Sequence, residues 1–419
     1  MFGTTDTIYY KYIISKIDIM IPGKDTIEVM YNNIGGVIIE KDFDEDIHPV
    51  MEIKLALRPP EIYDILDNKN TVRFNVRLDK YAFKTGNTET FIYKEMSFNE
   101  IFGIYIDDNS AQLDKDLYKQ NQNIKRTQTD ITDIRDPYSF FLFKPSDIEA
   151  SRTMVNTVLS NVNMTDTVSY LLSTAGCRKV LMAPIDNTET YKEVILYPRT
   201  TVGNIRKLNE EFGFYRNGLT LFFDIGRTYF IDKRGDTRVY ARDEYTNVMI
   251  YVYKSSNSNT MSGGFEKNNE TKTYGMNIVV SSITMRTGGT LINETTGTNK
   301  YIVDSINDTM VQVTPSTNHR GKTTSSVVDK RDIFDGDNEF IRDEMTARIN
   351  EKDSIFEVAF TGIDIDILTP NKRFTFVFED SEIQKRVGGV YRIVKTISTL
   401  APKGQSLVAT CACTFYKIQ

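Results

Sequence analysis

Ser316 to Thr323 reads STNHRGKT and follows the apolar run MVQV, the residue types of a phosphate-binding loop. Such a loop needs glycine at both ends of its four-residue spacer, so that backbone amides can close round the phosphates. Here the first position is Ser316. The residues after Thr323, TSSVVD, start a poor helix, so the helix-dipole half of an anion site is missing too. The stretch is read as a solvent-exposed loop rather than a nucleotide site. Asp335-Gly336-Asp337-Asn338-Glu339 has the texture of a calcium loop, but position six is Phe340 and position twelve is Thr346. It is read as a helix N-terminus, where acidic residues suit the dipole. Asp42, Asp44, Glu45 and Asp46 cluster at a strand end, a surface turn with an adventitious cation site as the second reading. Asp364 and Asp366 are expected on one face of a strand, as a solvated sheet face rather than a cation or carboxylate pair.

Nucleophilic chemistry finds little support. The chain has two histidines, His48 before Pro49 and His319 in the polar loop. Neither has a sequence context that supplies the orienting partner a catalytic base requires. Cys177 follows a helix terminator and would be reactive only if a helix end lowered its pKa; a buried structural thiol is the preferred reading. Cys411 and Cys413 stand two apart in an expected strand, so they share a face and do not bridge each other. No catalytic, cofactor-binding or metal-binding residue is assigned, no cofactor is expected, and the chain is read as not an enzyme.

The elements that would position any site are mostly strands. The chain has 419 residues, enough for two to four domains. It holds 23 Tyr and 24 Phe but no Trp, a usage that fits strands and interfaces. A net charge of −6 and a pI of about 5.3 argue against a nucleic-acid surface, which needs a basic stripe. No apolar run approaches the roughly 18 residues that span a bilayer, so no membrane insertion is expected. The opening MFGTTDTIYYKYIISK lacks a basic segment followed by an apolar core, so no secretory signal is expected. The acceptor-like triplets at Asn163 and Asn307 are then put down to chance.

Period-2 alternation is clearest from Phe356 to Phe415: FEVAFTGIDIDIL, RFTFVFED, GGVYRIVKTISTL and SLVATCACTFY, separated by turn chemistry. It reads as antiparallel strands with one buried face. The first hundred residues share the texture, with a short helix opened by Pro59-Pro60. Residues 107–136 turn polar and read as a solvated surface or linker. SFFLFK (139–144) is too apolar to lie free and should dock. The middle reads as helical: DIEASRTMVNTVLSNV capped by Ser146, TVSYLLSTAG capped by Thr165 or Asp166, and a helix through Val202, Ile205, Leu208 and Phe212 that Gly213 ends. Two strands follow around Asp224-Ile225-Gly226, and Asp337 to Lys352 reads as a charged helix.

The expected class is α+β and β-rich, with two β-barrel-like domains flanking a mixed middle. The boundaries are 1–106 for the first barrel-like domain, 107–144 for a polar excursion, 145–247 for the mixed domain and 248–419 for the second barrel, with polar insertions near 255–273 and 290–350.

Two blocks, TTVGNIRKLNEEFGFYRNGLTLFFDIGRTYFI (200–231) and GGVYRIVKTISTLAPKGQSLVATCACTFYK (388–417), resemble the central hub proteins of long phage tails, the contractile-tail baseplate hub in particular. MEIKLALRPPEIYDILDNKNTVRFNVRL likewise resembles a first hub barrel. The resemblance implies a homotrimer in which each chain gives two barrels, so that six barrels imitate sixfold symmetry. It implies a virion protein of the tail baseplate that joins the tail tube or distal tail protein to the central spike. The tape-measure protein and baseplate wedge proteins are its further partners, and it binds no sequence-specific nucleic acid. The alternative is a β-rich receptor-binding or cell-wall-carbohydrate-binding tail protein, against which the absence of Trp counts.

Overall fold

The structure is a computed structural model. It describes residues 8–84, 89–105, 135–177, 179–233, 246–254, 261–262, 266–268, 273–280, 296–304, 309–312, 322–329 and 355–418. The chain divides into two units. Unit 1 comprises Met1–Lys41, Pro49–Pro145 and Ile397–Thr410; unit 2 comprises Asp42–His48, Ser146–Thr396 and Cys411–Gln419.

Unit 1 contains strands β1 (Ile8–Ile13), β2 (Lys16–Met20), β3 (Ile27–Met30), β4 (Ile34–Asp42) and β5 (Val50–Leu57), then helix α1 (Pro59–Asp67), then β6 (Arg73–Lys84), β7 (Thr90–Ile104) and β8 (Asp136–Phe143). Alternation sets which side chains go inward. Phe74, Val76 and Leu78 of β6 are buried, as are Met51, Ile53, Leu55 and Leu57 of β5. Helix α1 starts on Pro59, and Glu61 accepts from the Arg58 backbone N–H at 2.8 Å, closing its first turn. Strand neighbours run β4-β5-β8-β7-β6-β1. The two strands of the Ile397–Thr410 hairpin pair with each other and with β4 and β1, so the circuit closes. Gly36 permits that closure: at φ +141 it brings its backbone so near the hairpin that a Cβ would stand 3.0 Å from the Leu400 carbonyl oxygen. The apolar run at 139–144 does dock, as β8 paired with β5. Residues 106–134, most of the polar run, lie outside the described residues.

Unit 2 opens with α2 (Pro145–Arg152), β9 (Met154–Asn163), α3 (Met164–Thr174), β10 (Val180–Met182), β11 (Thr190–Thr200), α4 (Thr201–Phe212), β12 (Leu219–Asp224) and β13 (Arg227–Asp232). The single long helix expected over DIEASRTMVNTVLSNV is instead a helix to Arg152 and a strand from Met154. The β-branched run Val155, Thr157, Val158 and Val162 favours the strand once β11 is there to pair with it. The α3 cap is Asn163, whose Oδ1 accepts from Asp166 N–H at 2.8 Å, in place of Thr165 or Asp166. The α4 helix stands where helical spacing places it, with Gly213 as the stop, and the β12–β13 hairpin turns at Asp224–Arg227 as expected.

The second half of unit 2 holds β14 (Asn247–Lys254), β15 (Met261–Ser262), β16 (Glu266–Asn268), β17 (Thr273–Val280), β18 (Thr296–Asp304), β19 (Thr309–Gln312), β20 (Lys322–Asp329), β21 (Ile355–Thr361), β22 (Arg373–Phe378), helix α5 (Ser381–Val387), and strands β23 (Gly389–Lys403) and β24 (Ser406–Lys417), whose adjoining ends form the unit 1 hairpin. β14 pairs parallel with both β17 and β22; alternation alone had suggested antiparallel partners. IDIDIL is not strand. Gly362 takes φ +71 and ends β21, a short 3-10 turn covers Ile365–Ile367, and Asp364 accepts from Asp366 N–H at 3.1 Å. The core here is aromatic. Phe376 lies 4.7 Å from Phe356, 5.3 Å from Tyr391 and 5.2 Å from Phe415, ring to ring, all three edge-on.

Phe376→Ala would leave a cavity inside that cluster. A loss of roughly 3–5 kcal/mol is expected from the lost transfer free energy and the void together, read from the urea midpoint of the purified protein. A loss under about 1 kcal/mol would show that the ring cluster is not a packed core.

Candidate functional site

The acidic run at the end of β4 is a turn with Glu45 and Asp46 exposed as expected, but Asp42 is buried and Asp44 partly so. Within unit 2, Asp44 Oδ1 and Oδ2 accept from Arg392 Nη1 and Nη2 at 2.9 and 2.7 Å, a two-pronged pair. Lys233 Nζ stands 3.3 Å from Asp44 Oδ1, and Lys395 stands 3.9 Å from Asp42. Arg392 and Lys233 are themselves buried. Burial works to raise the Asp44 pKa; the Arg392 hydrogen bonds and charge, with Lys233, outweigh it and hold the carboxyl below its usual range. The ring of Tyr416 lies against the Arg392 guanidinium at 5.2 Å, and burial raises the Tyr416 hydroxyl. The cation that answers the acid is thus a side chain of the same chain, and the adventitious cation reading falls away.

The rest of the Asp42–His48 loop is fixed as closely. Phe43 N–H donates to Val394 O at 2.8 Å, and its buried ring meets Phe222 edge-on at 4.8 Å. Phe223 N–H donates to Ile47 O at 2.8 Å. Ser151 Oγ donates to Ile148 O at 2.8 Å, so at 3.1 Å it accepts from His48 Nε2–H. The neutral ring therefore carries its lone pair on Nδ1, which is buried with no hydrogen-bond partner. Burial, then the Arg152 charge, push the His48 pKa down to about 4. That orphan is no catalytic base: Ser151 is buried on α2 and engaged with the backbone.

The other sequence candidates stay apart. Cys177 is half-buried, and burial raises its thiol pKa despite a Thr228 hydrogen bond. Cys411 and Cys413 are both buried and form no disulfide, on one face of β24 as expected. Asp364 is a buried turn cap, not part of a solvated face. Ser316–Gly321, His319 and the Asp335–Glu339 run lie outside the described residues; Lys322 and Thr323 begin strand β20. Among the described residues no three His, Cys, Asp or Glu side chains are grouped to hold a metal ion.

Apolar side chains are exposed in both units. The β9–β11 ribbon turns Val155, Val194 and Leu196 inward toward α3 and α4. Buried Asn204 of α4 donates from Nδ2 to the carbonyls of Val155, Tyr197 and Arg199, fixing the ribbon to the helix. The outer face carries Met154 at 62%, Val158 at 56% and Ile195 at 50% exposure, with Val158 and Ile195 directly opposite. β11 is blunted as an edge by Pro198, Lys192, Glu193, Arg199 and a register shift; β9 carries no charged residue. In unit 1 the β7 segment with Phe91, Ile92, Tyr93 and Met96 is also exposed. Sequence reasoning missed Arg392 as a site residue because its partner lies 348 positions away. The available signal was a charge inside the buried run GVYRIV.

A family model described as "Bacteriophage PBS1 gene 109 protein" matches residues 8–418. No curated protein matches the sequence. Among solved structures, the 43 kDa tail protein of prophage MuSo2 from Shewanella oneidensis aligns at TM-score 0.50 and 10% identity, over 95% of this chain and 97% of that one. A tail protein from Neisseria meningitidis MC58 aligns at TM-score 0.48 and 9% identity, over 97% and 96%. An E. coli component of the type VI secretion system aligns at TM-score 0.37 and 8% identity, over 96% and 77%. At these identities the likeness is one of fold, and the β-rich α+β class and the resemblance to phage tail proteins both agree with it.

Arg392→Met would leave Asp44 partly buried with half its answer gone. A loss of about 3–5 kcal/mol is expected by chemical denaturation, and adding Asp44→Asn should recover part of it. A single variant within about 1 kcal/mol of wild type, or a double variant as unstable as the two single losses summed, would contradict the pairing.

Proposed function

The chain belongs to the Bacteriophage PBS1 gene 109 protein family, and from that premise we propose that it is a structural protein of the phage tail, the central hub of the baseplate. The observation that carries this reading is the fold shared with the MuSo2 prophage tail protein along nearly the whole of both chains. The hub is a homotrimer. Two barrel-like domains per chain, one from the first part of the chain closed by the Ile397–Thr410 hairpin and one from the other strands after residue 247, flank the mixed middle at 145–247 and give a ring of six lobes. A threefold ring of that kind meets a sixfold tube on one side and a spike on the other. Its neighbours are the tail tube or distal tail protein, the central spike, the tape-measure protein and baseplate wedge proteins, and its place is the virion. No catalytic step is asked of it.

Two features support the assembly reading. The strand circuit of unit 1 leaves a rigid module without long free edges. The outer face of the β9–β11 ribbon offers neighbouring aliphatic side chains of a kind that interfaces bury.

Mass photometry of the purified chain should give three times the chain mass of 48.1 kDa. Val158→Lys with Ile195→Lys should weaken that trimer at least about tenfold, equivalent to ~1.4 kcal/mol, while leaving the unfolding midpoint nearly unchanged. A stable monomer that binds cell-wall glycans would overturn the hub in favour of a carbohydrate-binding tail protein. A trimer indifferent to both lysines would place the interface elsewhere.

A further inference from the structure

The seven residues Asp42–His48 leave β4, seat in unit 2 and return to β5, and two side chains of opposite protonation need hold them there. Asp44 must be charged to keep Arg392 and Lys233. His48 must be neutral, because its only made hydrogen bond is the Nε2 donation to Ser151 and its Nδ1 faces no acceptor. A proton on Nδ1 would create a buried N–H donor with nothing to donate to, on a ring whose charge Arg152 repels. No rearrangement of Ser151 relieves this, since its Oγ touches the other nitrogen.

We propose that the Asp42–His48 loop is an acid-released latch, seated in unit 2 while His48 is neutral and let go when His48 gains its second proton. The charged and titratable groups on the elements around it are Asp147, Glu149 and Arg152 of α2, Asp224 of β12, Lys233 beyond β13, Arg392 and Lys395 of β23, Tyr416 of β24, and its own Asp42, Asp44, Glu45 and Asp46. Asp44 keeps its charge through mild acid because Arg392 and Lys233 hold its pKa below the ordinary value against the effect of burial. The histidine is therefore the trigger and the ion pair the resistance.

The direction follows from linkage. The folded-state pKa of about 4 lies below the ordinary 6.5, so the released loop binds more protons than the seated one between those values. Seating is at full strength above 6.5 and is lost as pH falls through that window toward 4. From about pH 7.5 to about pH 5 the released fraction should rise about 30-fold.

Hydrogen exchange of the full-length protein at those two pH values tests this, corrected for the intrinsic pH dependence of exchange. Protection of the peptide spanning 42–48 should fall about 30-fold while strands β5 and β6 keep theirs. His48→Gln keeps a donor toward Ser151 and cannot titrate, so its loop protection should stay flat across the same range. Equal loss in wild type and variant, or no loss in wild type, overturns the latch. Should the variant unseat the loop at neutral pH, carbon-13 NMR of labelled histidine decides. With His319→Gln removing the other signal, His48 must titrate well below 6.5; titration at the ordinary value overturns the proposal.

Discussion

A β-strand carries hydrogen-bonding groups along both edges, and each edge left without a partner invites another chain. Unit 1 meets that constraint with sequence from both ends of the protein: strands from the first 145 residues form most of the circuit, and the Ile397–Thr410 hairpin completes it. Much of the local chemistry serves this closure. Gly36 lies where a side chain would keep the hairpin away. Tyr31 donates to the carbonyls of Gly404 and Ser406 at the hairpin's turn, at 3.1 and 2.9 Å. In unit 2 the β9–β11 ribbon does not join a larger sheet among the described residues, and only one of its strands bears the usual edge defences. Under the proposed hub reading, neighbouring copies would cover that edge.

The second organising feature is the charge held by the Asp42–His48 loop. A carboxylate largely withdrawn from water needs good geometry around it, and Asp44 receives it from two places, Arg392 on β23 and Lys233 just beyond β13. Such a node specifies one seating of the loop, where a purely apolar contact such as Phe43 on Phe222 would accept several. Three unusual features share the loop: an acid with two buried cations, a histidine with an orphan nitrogen, and backbone bonds to both Val394 and Phe223.

Strand periodicity was the most legible part of the sequence. Arg73–Leu78 and the closing hairpin sit as their alternation requires, because one-sided burial writes period 2 directly into the residues. The errors came where tertiary context chose between local options. Val155 to Val162 pass for either helix or strand until β11 supplies a partner. Gly362 stops a run, IDIDIL, whose alternation is otherwise ideal for extension, and the run buries on several sides. Asp42 to Asp46 read as a wet turn because the cations that answer Asp42 and Asp44 come from Lys233, Arg392 and Lys395, far along the chain. Parallel pairing of β14 with β17 and β22 leaves no mark in either strand's own residues.

The account stands or falls on whether copies of this chain close on one another. Electron cryomicroscopy of the purified oligomer, viewed down its axis, measures that directly. An annulus of six similar lobes around an open bore, repeating every third of a turn, is the predicted image. A solitary subunit, or a particle with twofold symmetry and no bore, would contradict it.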